Sequence, residues 1–328
     1  MHAWLQRVWY ERHWSGVLLL PLSVVFAVVS GLRRVFYRLG LFGQRGVGVP
    51  VLVIGNLTAG GSGKTPLVIW VVERLQILGL RPGVVSRGYG RDSRAVHQVA
   101  DGDSVEEIGD EPALIARRTG CLVVVGADRA AAARRLTARN VDFVVSDDGL
   151  QHYGLERDLE WVVIDGQRRF GNGRLLPAGP LRESPSRLKQ VDAVVVNGEP
   201  VLEGEIAMRL IAKRAVRLID HDSCELSDFT DRTVHAVAGI GNPQRFFDTL
   251  SEFGIAVIPH PFSDHASYSH GALSFDDEYP VLMTEKDAVK YVSLADERHF
   301  AVPVDASFSE TDKALLLETI RKMVNRGR

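Results

Sequence analysis

Cysteine is nearly missing from this 328-residue chain: Cys121 and Cys224 stand far apart and in no metal-ligand spacing. A cysteine-based metal centre is thereby excluded, and both residues read as core or surface thiols in a reducing compartment. Acidic residues are scarce at the start. Residues 1–50 hold Glu11 alone against six arginines, Arg7, Arg12, Arg33, Arg34, Arg38 and Arg45. The remainder carries 33 basic and 40 acidic residues, so the formal net charge of -2 hides a basic, apolar segment on an acidic body. That asymmetry suggests attraction to anionic lipid headgroups. Interleaved basic and aromatic residues are lacking elsewhere, which argues against nucleic acid. No repeat, low-complexity tract or self-association determinant is visible, so no protein partner is inferred. What remains, 45% apolar and 24% charged residues, is ordinary globular composition.

After Pro50 the chain alternates short β-branched runs with helical stretches: V-L-V-I (51–54), P-G-V-V-S (82–86), L-V-V-V (122–125), D-F-V-V-S (142–146), W-V-V-I-D (161–165) and D-A-V-V-V (192–196). Continuous apolar runs imply strands buried on both faces, hence a parallel sheet sandwiched between helices. The pattern predicts a doubly wound α/β fold with a mostly parallel sheet. It loosens near 199–231 and resumes with V-H-A-V-A-G-I (234–240), I-A-V-I (255–258), V-L-M-T (281–284) and A-V-P-V (301–304). The expected organisation is an amino-terminal membrane-associated helical segment over 1–48, a nucleotide-binding domain over 49–220 and a smaller α/β domain over 221–328.

The segment V-L-V-I-G-N-L-T-A-G-G-S-G-K-T-P (51–66) places a strand, a glycine-rich turn and a helix start in that order, the context a phosphate loop requires. The loop runs Thr58, Ala59, Gly60, Gly61, Ser62, Gly63, Lys64, Thr65. Its glycines let backbone N–H groups converge on phosphate oxygens, and the helix N-terminus adds positive potential. Lys64 would reach the β- and γ-phosphates and the Thr65 hydroxyl would ligate magnesium, so ATP and Mg2+ are the expected cofactors. The first glycine of G-x-x-x-x-G-K-S/T is missing, replaced by Thr58. Ala59 stands where partner-dependent ATPases carry a signature lysine. The GTPase string N-K-x-D is also missing, its nearest counterpart being T-E-K-D (284–287).

From His13 to Leu32 no formal charge interrupts an apolar stretch centred on Val17 to Val29, preceded by Trp4, Trp9 and Trp14 and followed by Phe36 and Tyr37. Pro21 and Ser23 weaken it, leaving a crossing helix, an interfacial helix and a buried core helix all open. A cleaved signal peptide is incompatible with a downstream body that needs ATP. Arginines just after the stretch would keep that body on the cytoplasmic side.

Three further constellations carry chemistry. Asp147 and Asp148 follow the run ending at Ser146, at the carboxyl end where doubly wound sheets bind ligands, and open D-D-G-L-Q-H (147–152). A carboxylate there is the usual second anchor for magnesium; a plain Asp-Gly turn is the alternative for Asp148. In I-G-D-E-P (108–112), Asp110 and Glu111 precede a proline-initiated helix and serve equally well as helix-capping acids or as catalytic groups. His265 in S-D-H-A (263–266) is an ordinary loop residue or a partner for a carboxylate base.

Together, G-N-L-T-A-G-G-S-G-K-T-P (55–66), S-R-G-Y-G-R (86–91), G-D-E-P (109–112), D-D-G-L-Q-H (147–152), F-G-N-G-R-L-L-P-A-G-P-L-R-E (170–183), G-I-G-N-P-Q-R-F-F (239–247), F-S-D-H (262–265) and T-E-K-D-A-V-K (284–290) closely resemble the tetraacyldisaccharide 4'-kinase family. The resemblance spans nearly the whole chain. It implies transfer of the ATP γ-phosphate to the 4'-hydroxyl of an acylated glucosamine disaccharide 1-phosphate at the cytoplasmic face of a bacterial inner membrane. It further implies Asp110 as catalytic base with His265 as its orienting partner, Lys64 and Thr65 on MgATP, and Asp147, Asp148 and Glu111 near the metal and reacting phosphate. Arg87, Arg91, Gln151, His152, Asn172 and Arg182 become candidate substrate or nucleotide contacts. A membrane-bound ATPase driving assembly or transport is the competing reading.

Overall fold

The computed structural model describes residues 2–11, 13–91, 93–264, 266, 268–269 and 271–326. The chain runs through α1 (His2–Tyr10), α2 (Leu20–Arg38), β1 (Val51–Gly55), α3 (Lys64–Ile77), β2 (Pro82–Ser86), β3 (His97–Gln98), α4 (Val105–Ile108), α5 (Asp110–Thr119), β4 (Leu122–Val125), α6 (Arg129–Thr137), β5 (Phe143–Asp147), β6 (Leu159–Asp165), β7 (Ala193–Asn197) and β8 (Glu205–Ala212). It continues with β9 (Arg214–Arg217), β10 (Ser223–Glu225), β11 (Thr233–Ala238), α7 (Pro243–Glu252), β12 (Ala256–Pro261), β13 (Val281–Thr284), α8 (Glu285–Tyr291), β14 (His299–Val302), β15 (Val304–Ser307) and α9 (Glu310–Arg326).

One sheet has the order β15-β8-β7-β6-β1-β5-β2-β4-β3 and is parallel except at its two outermost strands. The central strands β1, β2 and β5 are buried along their whole length, as their unbroken apolar runs require. Alternate residues feed opposite layers. Leu52 and Ile54 pack with α3, α5 and α9, whereas Val51 and Val53 pack with α6. The chain leaves β1 toward β2 on one side and later reaches β6 on the other, so a topological switch lies beside β1, where the phosphate loop emerges.

A second sheet, β10-β9-β14-β13-β11-β12, carries α7 and α8. Its limits differ from a simple cut at residue 220. β9 already belongs to it, while β15 and α9 return to the first sheet, where Ala306, Leu316, Ile320 and Met323 complete the larger core. β15 also pairs along the free edge of β8, which would otherwise expose a row of backbone hydrogen-bonding groups.

A helix of 25 residues, Trp14–Arg38, is long and apolar enough to cross a membrane. It is pinned to the body at several points. Ser23 Oγ donates to Leu175 O at 2.8 Å and accepts the Ala178 N–H at 3.0 Å. Arg34 meets Glu183 at 3.1 Å, and Arg38 bonds Gln190. Ser23 and Arg38 are about 22 Å apart along the axis at 1.5 Å per residue, so the helix lies along the body. Its other face leaves Trp14, Leu18, Leu22, Val25, Val29 and Leu32 exposed.

Candidate active site

The phosphate loop springs from β1 and ends where α3 begins at Lys64. Gly60 and Gly63 have φ of +103° and +92°, the left-handed region that glycine adopts without strain. A Cβ on Gly63 would also lie 2.6 Å from Asn197 Nδ2, whose amide donates to Ser62 O at 3.3 Å. At the loop entrance Thr58 bridges Leu181 in antiparallel fashion, and the Ala59 N–H donates to Pro180 O at 2.8 Å. The backbone is extended into a neighbouring segment there, which removes the need for a first glycine. Thr65 follows Lys64 in the opening turn of α3.

Lys64 is buried, and its Nζ lies 3.5 Å from Asp148 Oδ1. Arg182 Nη1 reaches both oxygens of Asp148 at 3.0 Å. Burial alone would raise the Asp148 carboxyl, but Lys64 and Arg182 outweigh it and hold the group well below the usual carboxylate range. Asp148 sits at φ +47°, which turns it out of the strand toward these cations. Its neighbour Asp147 is the opposite case. It is fully buried; Oδ2 accepts from Ser86 Oγ at 3.0 Å, while Oδ1 has no hydrogen-bond partner. Burial first, then repulsion from Glu111 and Asp148, pushes Asp147 up to about 7.

Asp110 and Glu111 open α5 after Gly109, whose φ is +90° and whose Cβ would crowd Gly88. Asp110 is 4% exposed, and its Oδ1 accepts the Glu111 N–H at 3.0 Å. Lys286 of α8 approaches Asp110 at 3.7 Å, Glu111 at 3.3 Å and Asp264 at 2.9 Å. Burial opposes the Lys286 charge, but these three acids hold its pKa far above the ordinary lysine value. The partner expected for Asp110, His265, lies outside the described residues.

The remaining expected contacts divide. Arg182 joins the site directly, and Arg87 is exposed at the end of β2. Gln151 donates to Asn56 O and to Glu183, closing the loop behind Asp148. Burial, then the charges of Arg129, Arg87 and Arg33, lower His152 to about 3, so its imidazole is neutral at physiological pH. Arg91 and Asn172 are committed to the backbone. Arg91 donates to Glu107 O and Ala95 O; Asn172 donates to Val8 O and Ala178 O, tying α1 to the body. Both residues thus brace the scaffold through these hydrogen bonds.

Sequence reasoning passed over Lys286, which sat unassigned in T-E-K-D, and Arg129, the first residue of α6. Arg129 is 2% exposed, with Nε and Nη2 lacking partners, and burial lowers its pKa to about 10. Its only signal was its place just beyond a strand end. The second sheet also touches the phosphate loop: a Cβ on Gly241 would fall 2.8 Å from Gly61 N, and Arg245 donates to Asn197 O at 3.2 Å.

Hard oxygen donors, one of them a buried carboxylate oxygen lacking a partner, suit magnesium. Among the described residues no group of three or more acids, histidines or cysteines forms a complete metal cage. That fits an ion held by one or two carboxylates together with phosphate oxygens and water. A strand, phosphate loop and helix beside paired acids at the carboxyl end of a doubly wound sheet define a P-loop phosphotransferase. The family described as Tetraacyldisaccharide-1-P 4'-kinase matches residues 15–324. Relatives named tetraacyldisaccharide 4'-kinase include one from Methylobacillus flagellatus, 46% identical over 98% of this chain and 96% of its own. Another, from Nitrosococcus oceani, is 48% identical over 97% and 96%. The crystal structure of "apo" form LpxK from Aquifex aeolicus in complex with ATP superposes with a TM-score of 0.79 at 28% identity, covering 94% of this chain and 99% of that one. The chain belongs to the tetraacyldisaccharide 4'-kinase family.

The Asp147 shift has a measurable consequence in metal-free protein. A carboxyl raised from 3.8 to about 7 on folding holds its proton more tightly in the native state. Its contribution to stability is therefore present at low pH and is lost as pH rises from about 4 to about 7. Thermal midpoints measured in chelator from pH 5 to 8 should fall more steeply for the wild type than for Asp147→Asn. Parallel curves would contradict the shift.

Proposed function

We propose that this chain is an ATP-dependent kinase that transfers the γ-phosphate to the 4'-hydroxyl of a tetraacylated glucosamine disaccharide 1-phosphate, a step of lipid A synthesis. The observation that carries this reading is the convergence of Lys64, Arg182, Asp147 and Asp148 at the strand ends, with Asp110 held nearby by Lys286. Backbone groups from Thr58 to Gly63 cradle the phosphates, and Lys64 neutralises charge on the β- and γ-phosphates. Thr65, Asp147 and Glu111 would hold Mg2+, which would supply charge neutralisation on the transferring phosphoryl group. Asp148, kept ionised, fixes Lys64 and Arg182 around the nucleotide.

Asp110 is the general base. Its carboxylate accepts the proton of the acceptor hydroxyl as that oxygen bonds to the γ-phosphorus and the bond to the leaving ADP oxygen breaks. His265 orients it on the strength of the family resemblance. Arg87, Gln151 and His152 border the acceptor side, where a neutral His152 can exchange hydrogen bonds with sugar hydroxyls.

The acceptor's acyl chains require a membrane surface. The exposed face of the 14–38 helix supports attachment at the cytoplasmic face of the inner membrane, each apolar side chain withdrawn from water contributing roughly 1.5–3 kcal/mol. Because the helix is bonded to the body along its length, it lies in the interface and keeps the site level with the headgroups.

Two measurements test this. Labelled ATP incubated with detergent-solubilised protein should pass label to the disaccharide lipid. Asp110→Ala should abolish transfer while nucleotide binding persists; acceptor-independent hydrolysis with no labelled lipid would sink the kinase reading. In flotation with anionic vesicles the wild type should rise with the lipid and Val25→Glu/Val29→Glu should stay behind. Equal flotation would remove the helix face from the attachment role.

A further inference from the structure

The string Thr284-Glu285-Lys286-Asp287 places each of its charged residues on a different segment. Glu285 accepts two hydrogen bonds from Arg118 Nη1, at 2.9 and 2.8 Å, near the C-terminal end of α5. Lys286 meets Asp110 and Glu111 at the N-terminal end of the same helix, and Asp264 on the loop after β12. Asp287 is 0% exposed and turns inward, accepting from Gly239 N at 2.8 Å, Tyr268 Oη at 2.8 Å and Thr284 Oγ1 at 2.5 Å, with Lys290 3.0 Å away. Gly239 opens the turn whose Gly241 rests on Gly61 of the phosphate loop.

We infer that Lys286 is a positioning residue for phosphoryl transfer, one that sets the side chain of Asp110 against the nucleotide by bridging the two sheets. This rests on the assignment of Asp110 as base. An ammonium has three donors, and here three carboxylates surround it, so its position is fixed from three sides. Its side chain is 15% exposed, against 5% for Asp110, 26% for Glu111 and 18% for Asp264, so solvent screens the contacts only partly. The backbone of Lys286 is held in turn. Thr284 caps α8, and Asp287 locks the helix beside Lys286 into the core of the second sheet.

The two neighbouring ion pairs divide the work. Arg118 with Glu285 and Asp305 lies at the end of α5 remote from the reacting groups and holds the sheets together. Lys286 lies at the end that carries Asp110. A rate effect peculiar to Lys286 therefore separates alignment from adhesion.

The test compares Lys286→Met, Lys286→Arg and Glu285→Gln in full-length protein, with saturating lipid acceptor and varied ATP. Misplacement of a reacting group by about 1 Å costs on the order of 100-fold. Lys286→Met is expected to lower kcat by about that factor while KM for ATP changes less than about threefold, and Lys286→Arg to recover most of the loss. Glu285→Gln is expected to lower the thermal midpoint and leave kcat within about threefold of wild type. Equal losses of kcat in Glu285→Gln and Lys286→Met would show that adhesion alone matters and overturn the inference, as would wild-type kcat in Lys286→Met. If the wild type itself transfers no phosphate to the lipid, the kinase reading fails instead, a result distinct from either.

Discussion

Asp147 is a fully buried carboxyl group at the end of a central strand, with one hydroxyl partner and two acidic neighbours. Burying such a group is unfavourable unless a cation or a proton accompanies it. Much of the surrounding structure answers that constraint. Lys64 and Arg182 are drawn to the adjacent Asp148, and Lys286 is drawn across from the second sheet to Asp110 and Glu111. Arg129 is buried in the same quarter, near enough for Asp147 and Asp148 to favour its charge, with Nε and Nη2 lacking hydrogen-bond partners. Among the described residues Asp147 Oδ1 has no hydrogen-bond partner, and the magnesium ion proposed above would complete it.

The fold serves this arrangement by bringing strand ends together. β1 delivers the phosphate loop, β5 beside it delivers Asp147, and β2 next to β5 delivers Ser86. Cations then enter from segments remote in the chain. Arg182 comes from the stretch that also receives α1 and α2, so one segment serves the nucleotide site and the amino-terminal helix. That continuity joins the apolar helix to the site without a separate linker.

Much of this was legible in the sequence because it is local. The apolar runs at 51–54 and 142–146, the glycines before Lys64 and the acids at 147 and 148 each lie within a few residues of the element that positions them. What escaped depends on contacts between distant segments. Nothing near Lys286 announces that α8 packs on α5, nor does the sequence of α9 announce that it returns to the first sheet. The backbone partners of Asn172 and Arg91 were also out of view: a polar residue inside a motif suggests a ligand, and the sequence does not announce that its hydrogen bonds go to backbone carbonyls. The bearing of the amino-terminal helix on the body was likewise invisible, because Ser23 and Arg34 find partners more than a hundred residues away.

On the function proposed, Asp147 would give up its proton when a metal-nucleotide complex binds. Calorimetry of Mg-nucleotide binding near pH 6.5, repeated in buffers of different ionisation enthalpy, counts the protons released. Release by the wild type that disappears in Asp147→Asn is the expected result. Binding without proton release, or release unchanged in Asp147→Asn, would contradict it.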